Sequence, residues 1–284
     1  MRHVLADVSP AAVRAEPYPH ILIENALPQE LCDRLLRELP PVETVLKGAA
    51  KRENARADYT LSDARKNGGV SETWRAFLEA NASQAFADAA LALFRPFIRA
   101  SYPDLREGDS VRALKAGVRG VNSYTECEFL LDAGIGVNTP FTSKRPSSVR
   151  TAHVDNPRKL FAGLYYLRDP KDDSTGGSFV ICRWKKNARP LFAGQHIDTE
   201  QVDAVEEVPY RNNTLVFFLN SMDAVHSVTP RQPTAHPRWF LNVLGELKEP
   251  LFDIDAYQER GLRKLTRRIL GAMNIPLGGV EVRK

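Results

Sequence analysis

The 284 residues predict a mainly β chain with flanking helices, an α+β fold in which N-terminal helices pack on one sheet of a jelly roll or barrel. Three observations lead there. Beyond Gly108 the chain breaks into eight or nine short β-rich runs separated by Gly, Pro and Asp. Before it, apolar residues recur at helical spacing. At 43% hydrophobic composition the chain can bury one generous core without disulfides or structural metals, so one domain spanning 1–284 is the expectation.

In chain order, Ile21-Leu22-Ile23 reads as a short strand after Tyr18-Pro19-His20, and Leu27 to Leu39 as a helix with Leu31, Leu35 and Leu36 on its apolar face. Lys47 to Gly69 is charged and poor in large apolar residues, which favours a mobile or substrate-facing loop. Trp74, Phe77, Leu78, Phe86, Leu91, Phe94 and Phe97 recur at helical spacing, with an interruption at Asn81 and a stop near Pro96, and predict two scaffold helices that complete a supporting region over 1–108. The barrel core is expected over 109–247, from strands at 127–131, 135–138, 150–155, 160–167, 178–183, 203–208, 214–219, 224–228 and 239–244. A basic helix at Ile254–Leu270 and a tail close the chain over 248–284.

Lys and Arg exceed Asp and Glu by four and are scattered rather than striped, so no nucleic-acid partner is implied. Cys32, Cys127 and Cys182 are odd in number and widely spaced, which argues against a disulfide framework or a zinc site and fits a reducing cytoplasm. No continuous apolar run resembles a signal peptide or a membrane span, so a soluble cytoplasmic protein is expected, with no membrane partner.

Alternate side chains of a strand share a face, so His153 and Asp155, separated by Val154, can both reach one ion inside a barrel. His226, after the apolar run Leu215-Val216-Phe217-Phe218-Leu219, supplies a third ligand. Two imidazoles and one carboxylate on one face of an octahedral ferrous ion leave positions open for a chelating cosubstrate and dioxygen. A chelating keto acid such as 2-oxoglutarate also needs a cation for its far carboxylate. Arg238, on the strand after His226, suits it through its planar fork; Arg231, between Pro230 and Pro233, is the alternative.

The ordered set His153-Val154-Asp155, Leu164-Tyr165-Tyr166-Leu167, Gly176-Gly177-Ser178-Phe179, His226-Ser227-Val228-Thr229-Pro230 and Arg238 resembles the 2-oxoglutarate and iron(II)-dependent oxygenases, especially the prolyl 4-hydroxylase-like branch. The resemblance spans Val121 to Leu247, with an echo at Pro19 to Leu39. It implies a double-stranded β-helix, Fe(II), 2-oxoglutarate and O2, with ascorbate as an in vitro reductant. It also implies oxidative decarboxylation to succinate and CO2 coupled to hydroxylation of an aliphatic C–H. The family's basic residue commonly follows the distal histidine by about ten positions; here Arg238 follows His226 by twelve, which requires a longer turn. Asp155 argues against halogenation, whose enzymes replace that carboxylate with a small residue.

Asn138 and Tyr165 are candidate cosubstrate contacts, and Asn122 with Tyr124 are further residues of the early strands. A second triplet, His196-Ile197-Asp198, reads as loop, and it follows Gly176-Gly177, itself read as a hairpin turn. His3 and His236 read as exposed, and His20 as packed near the first strand. Lys159 and Arg150 read as rim charge, with Arg150 facing away from the ligands. The expected substrate is a small molecule, carbohydrate precursor, amino acid or peptide, covered by 47–69 and 140–148. Competing classes are a non-redox cupin-like metal- or sugar-binding protein and an iron oxygenase that does not use 2-oxoglutarate.

Overall fold

The computed structural model describes residues 1–49, 52–143, 145–148, 150–188 and 190–258. The chain opens with β1 (His20–Glu24), α1 (Gln29–Arg37) and α2 (Val42–Leu46), then β2 (Arg56–Thr60), α3 (Leu61–Asn67), α4 (Glu72–Ala80), α5 (Gln84–Leu93) and α6 (Arg95–Ser101). Short strands β3 (Arg106–Glu107) and β4 (Ser110–Val111) form a hairpin before β5 (Ala116–Val118) and the long β6 (Phe129–Asn138). The barrel continues with β7 (Lys159–Leu167), β8 (Phe179–Trp184), β9 (Phe192–Ala193), β10 (His196–Ile197), β11 (Val202–Val208), β12 (Thr214–Leu219), β13 (His226–Val228) and β14 (Arg238–Leu247).

The large sheet has the order β1-β12-β7-β14-β6-β2, with β5 parallel to β6; the small sheet is β11-β8-β13, extended by the β9–β10 pair. Two sheets with a shared interior and helices on one outer face make the double-stranded β-helix expected from the sequence. Strand alternation sorts the large sheet into two faces. Ile135, Val137, Phe161, Tyr165, Leu215, Phe217, Leu241 and Val243 join the core formed with Trp74, Phe77, Phe86 and Phe94 of the helices. Tyr166, Val216, Phe218 and Phe240 face inward, to Phe179 and Ile181 of the small sheet. Burial of each large apolar side chain stabilises the fold by roughly 1.5–3 kcal/mol. The helices are held by local chemistry as well: Ser71 and Ser83 cap α4 and α5, and Trp74 Nε1 donates to the carbonyl of Leu35 at 3.0 Å, which ties α4 to α1.

Within segment 47–69, residues 56–67 depart from expectation, because their polar residues build a strand and a helix rather than a loop. Thr60 and Asp63 form a reciprocal capping box that starts α3, and β2 extends the large sheet by pairing Arg56 with Asn138 and Thr60 with Gly134. An edge strand one face of which lines an open barrel tolerates charge, and this is why its composition read as loop. The expected strands at 127–131 and 135–138 are one strand, β6. Among the described residues, the stretch 150–155 forms no strand and pairs through single bridges from His153 to His196 and to His226. Gly176-Gly177 does not close a hairpin, since β7 and β8 lie in different sheets. Both glycines have positive φ, and a Cβ on Gly176 would sit 1.9 Å from the Pro230 carbonyl oxygen, so close backbone approach is what requires glycine there. The helix expected at Ile254–Leu270 lies outside the described residues beyond 258; within them only the turn Asp255–Tyr257 forms. Among the described residues no helix is long and apolar enough to cross a membrane.

Candidate metal and cosubstrate site

His153 and His226 face each other across an antiparallel bridge, with backbone hydrogen bonds of 3.0 Å in both directions and ring centroids 4.2 Å apart. Asp155 follows on the same face, and one potential ligand atom from each of the three residues lies within 4.8 Å of the others. Each imidazole is oriented in the same way. His153 Nδ1 lies 2.8 Å from the Thr151 carbonyl and His226 Nδ1 2.9 Å from that of Ala224. A carbonyl only accepts, so Nδ1 carries the proton and Nε2 is left with its lone pair for a metal. The His226 ring also stacks on Phe179 at 5.1 Å, which fixes its plane.

The electrostatics favour a cation. Burial, reinforced by the neighbouring His226, pushes the His153 pKa well below its ordinary value, and burial lowers that of His226. Both rings are therefore neutral near pH 7. Burial alone would raise the Asp155 carboxyl, but the Lys159 ammonium and the two imidazoles hold it well below the usual range. Lys159 Nζ lies 3.1 Å from Asp155 Oδ2, so the lysine read as rim charge steadies the candidate ligand. Two neutral imidazoles and an ionised carboxylate are the donor set a ferrous ion takes with coordination positions to spare.

Arg238 lies deeper in the barrel, 2% exposed, and donates from Nη1 to Asn138 Oδ1 at 3.1 Å. Its Nε and Nη2 are buried without a protein acceptor. Its guanidinium lies 4.8 Å from the Tyr166 ring centroid and 5.1 Å from that of Tyr210. Two buried donors aimed into an aromatic pocket fit one carboxylate. Arg231 is equally buried but more engaged, donating to the His236 carbonyl at 2.8 Å and approaching Asn54 and Thr139 at 3.5 Å; only its Nε lacks an acceptor. Gly177 lets the chain pass both arginines, since a Cβ there would meet Arg231 Cγ at 2.9 Å and Arg238 Cδ at 3.1 Å.

Other expected residues fall elsewhere. Tyr165 faces the helices, where its hydroxyl donates to Asn213 Oδ1 at 2.9 Å and its ring meets Phe77. Its neighbour Tyr166, opposite Phe240, is the inward tyrosine, with a buried hydroxyl that has no protein partner. The parity of β7 decides this, and it is read only from the pairing register. Asn122 accepts from Val118 N, and Tyr124 donates to the Glu246 carbonyl, eight residues along β14 from Arg238 and so about 26 Å away. Neither meets the site. His196, read as loop, forms β10 beside His153, with ring centroids 5.9 Å apart, while Asp198 caps a 3-10 turn. Arg150 is half-buried, and burial lowers its pKa from the ordinary guanidinium value. His3 packs edge-on against Phe86 instead of standing in solvent. His20 is packed beside Tyr18, as expected.

Residues 144–244 match the family model of the 2OG-Fe(II) oxygenase superfamily. No curated protein matches the chain. Among solved structures, the chain is similar to a prolyl 4-hydroxylase from Phytophthora capsici, with 14% identity and a TM-score of 0.47 over 88% of this chain and 66% of that one, so it spans just under two thirds of that protein. It is also similar to a Pseudomonas putida prolyl-4-hydroxylase (16% identity, TM-score 0.40, 81% of this chain and 92% of that one). A third likeness is to the non-haem alpha-ketoglutarate-dependent epimerase SnoN from nogalamycin biosynthesis (14% identity, TM-score 0.42, 80% of this chain and 78% of that one). The family match thus spans 144–244, the stretch that carries His153, Asp155, His226 and Arg238, and the functional reading it supports is proposed below.

Proposed function

We propose that His153, Asp155 and His226 hold Fe(II), that Arg238 receives the far carboxylate of 2-oxoglutarate with Asn138 and Tyr166 beside it, and that the enzyme hydroxylates an aliphatic C–H of a small molecule, carbohydrate precursor, amino acid or peptide. The observation that carries this reading is the pairing of one compact His-Asp-His cluster with one buried guanidinium that has two unengaged donors in the same barrel. Iron with 2-oxoglutarate and O2 would supply the oxidising power, and succinate and CO2 are released. The chain's own part is positional. The Thr151 and Ala224 carbonyls hold both imidazoles in the ligating tautomer, Lys159 keeps Asp155 ionised, and the aromatic walls Tyr166, Tyr210 and Phe240 exclude water around Arg238.

Anaerobic titration with Mn(II) and 2-oxoglutarate tests the site, because a ligand pair that binds only the folded state raises the melting temperature. Wild-type protein should be stabilised more by both together than by either alone, and His226→Ala should lose the effect. Succinate formation with Fe(II), 2-oxoglutarate and ascorbate tests the reaction. No stabilisation by the pair would remove this assignment of residues.

A further inference from the structure

Trp239 and Leu167 are the last cross-strand pair between β14 and β7, and Arg238, one residue further out, pairs with Asn138 of β6. A side chain closes this end of the β7–β14 ladder. Tyr210 Oη accepts the Trp239 N–H at 2.9 Å and donates to the Leu167 carbonyl at 2.8 Å. One hydroxyl therefore joins the two backbones immediately beside Arg238, at ordinary hydrogen-bond distance on both sides. Burial raises the Tyr210 pKa above the usual phenol value, so the proton given to Leu167 stays in place near pH 7.

The ring of the same residue packs on two guanidiniums, that of Arg238 at 5.1 Å from its centroid and that of Arg168 at 5.3 Å, and meets Tyr166 edge-on at 5.3 Å. Arg168 in turn fixes the Tyr210 backbone. Its Nη1 donates to the Tyr210 carbonyl at 3.0 Å, its Nε and Nη2 to that of Asp172 at 3.1 and 2.8 Å, and its Nη2 to that of Ser174 at 2.6 Å. A planar fork suits this gathering of carbonyls, which a lysine could not reproduce. Three residues past Ser174, the chain reaches Gly177, where a Cβ would meet Arg238 Cδ at 3.1 Å. Arg168 thus anchors both Tyr210 and the strap that lies against the Arg238 stem.

We infer that Tyr210 is a positioning residue for the cosubstrate: its hydroxyl and ring fix the depth at which the Arg238 guanidinium stands, and so the length of keto diacid that the pocket accepts. The inference rests on the assignment of Arg238 to the far carboxylate and deepens it by naming what sets that distance. A long side chain binds a carboxylate through two donors only when it is held within roughly 0.5 Å of the productive geometry. Asn138 supplies one constraint, through Nη1, and Tyr210 supplies the others, through the ring and through the backbone of Trp239. Without the hydroxyl, the Trp239 N–H and the Leu167 carbonyl can pair directly, which draws β14 towards β7 and carries Arg238 with it. One donor and one acceptor remain matched, so the change costs little stability.

The test uses protein loaded with Mn(II) without O2 and compares, by calorimetry, 2-oxoglutarate, the one-methylene-longer 2-oxoadipate, and oxalate, which chelates a metal but has no far carboxylate. Tyr210→Phe should bind 2-oxoglutarate about tenfold more weakly and lose at least about fivefold of the preference for it over 2-oxoadipate, with oxalate binding as in the wild type. Because Tyr210 acts through Arg238, the substitution should add no further loss of 2-oxoglutarate affinity in Arg238→Met. Unchanged 2-oxoglutarate affinity, an unchanged ratio between the two diacids, a parallel loss of oxalate, or a loss that adds to that of Arg238→Met would overturn the inference. If Tyr210→Phe does not fold, Arg168→Lys, which keeps the charge but gives up the fork on the Tyr210 carbonyl, is held to the same pattern and the same refutations. The cosubstrate reading is tested separately, in the wild type and Arg238→Met: oxalate binding without 2-oxoglutarate binding, or no effect of Arg238→Met, removes that reading and the positioning role with it. A silent Tyr210→Phe beside a responsive Arg238→Met removes the positioning role alone.

Discussion

Lys159 Nζ lies 3.1 Å from Asp155 Oδ2, so the candidate metal carboxylate is already held by a cation before any ion arrives. Outer partners of this kind fix the orientation of a ligand and commonly change metal affinity by about 10–100-fold. Lys159→Met should therefore weaken Co(II) binding by at least about tenfold, read from the visible absorbance of the bound ion, while Lys159→Arg retains most of it. Unchanged Co(II) affinity in Lys159→Met would make the pair a surface ion pair only.

Arg238 and Arg231 are both buried, but their engagement differs. Arg238→Met should lower 2-oxoglutarate affinity by about 100-fold, the scale of a lost charge-assisted bidentate contact, and leave Mn(II) binding intact. Arg231→Met should instead lower the melting temperature, because it strips donors from the His236 carbonyl and leaves that wall unpaired. Calorimetry with 2-oxoglutarate separates the two, and the reverse pattern would move the cosubstrate carboxylate to Arg231.

Tyr165 and Tyr166 should respond oppositely to loss of the hydroxyl. Tyr165→Phe breaks the bond to Asn213 Oδ1 and should cost about 1 kcal/mol of stability without touching 2-oxoglutarate binding. Tyr166→Phe removes a buried hydroxyl that has no protein partner, so stability should hold or rise, while 2-oxoglutarate affinity falls. Denaturant melts and cosubstrate titrations of both variants check this.

Asp132 lies on the inward face of β6, where burial pushes its carboxyl up to about 6 despite Arg119 at 3.4 Å. The unfolded chain ionises this group near 3.8, so the folded state is favoured below that pH and loses this advantage as pH rises through about 6. Asp132→Asn should flatten the pH dependence of the melting temperature between about 4 and 6 and stabilise the protein at pH 7 by on the order of 2 kcal/mol. An unchanged slope over that interval would show that Arg119 compensates the buried charge.

The sequence by itself determined the class of fold and the candidate ligand set. A helical period ends and a strand period begins near Gly108, and His153, Asp155, His226 and Arg238 occur in the order that carries the resemblance to the 2-oxoglutarate oxygenases. Those features are local, or depend only on strand parity and chain order, so they survive without coordinates. The tertiary structure decided what depends on pairing register and on contacts far apart in sequence. The side of β7 that faces the barrel selects Tyr166 over Tyr165, and the edge position of β2 turns a charged stretch into a cavity wall bearing Arg56 and Asp58. The close passage of Gly176 over Pro230 replaces an expected hairpin. A single-residue shift of register exchanges the two faces of a strand, and a charge becomes a site or a rim only through what lies across the cavity from it; neither quantity is written in one segment of chain.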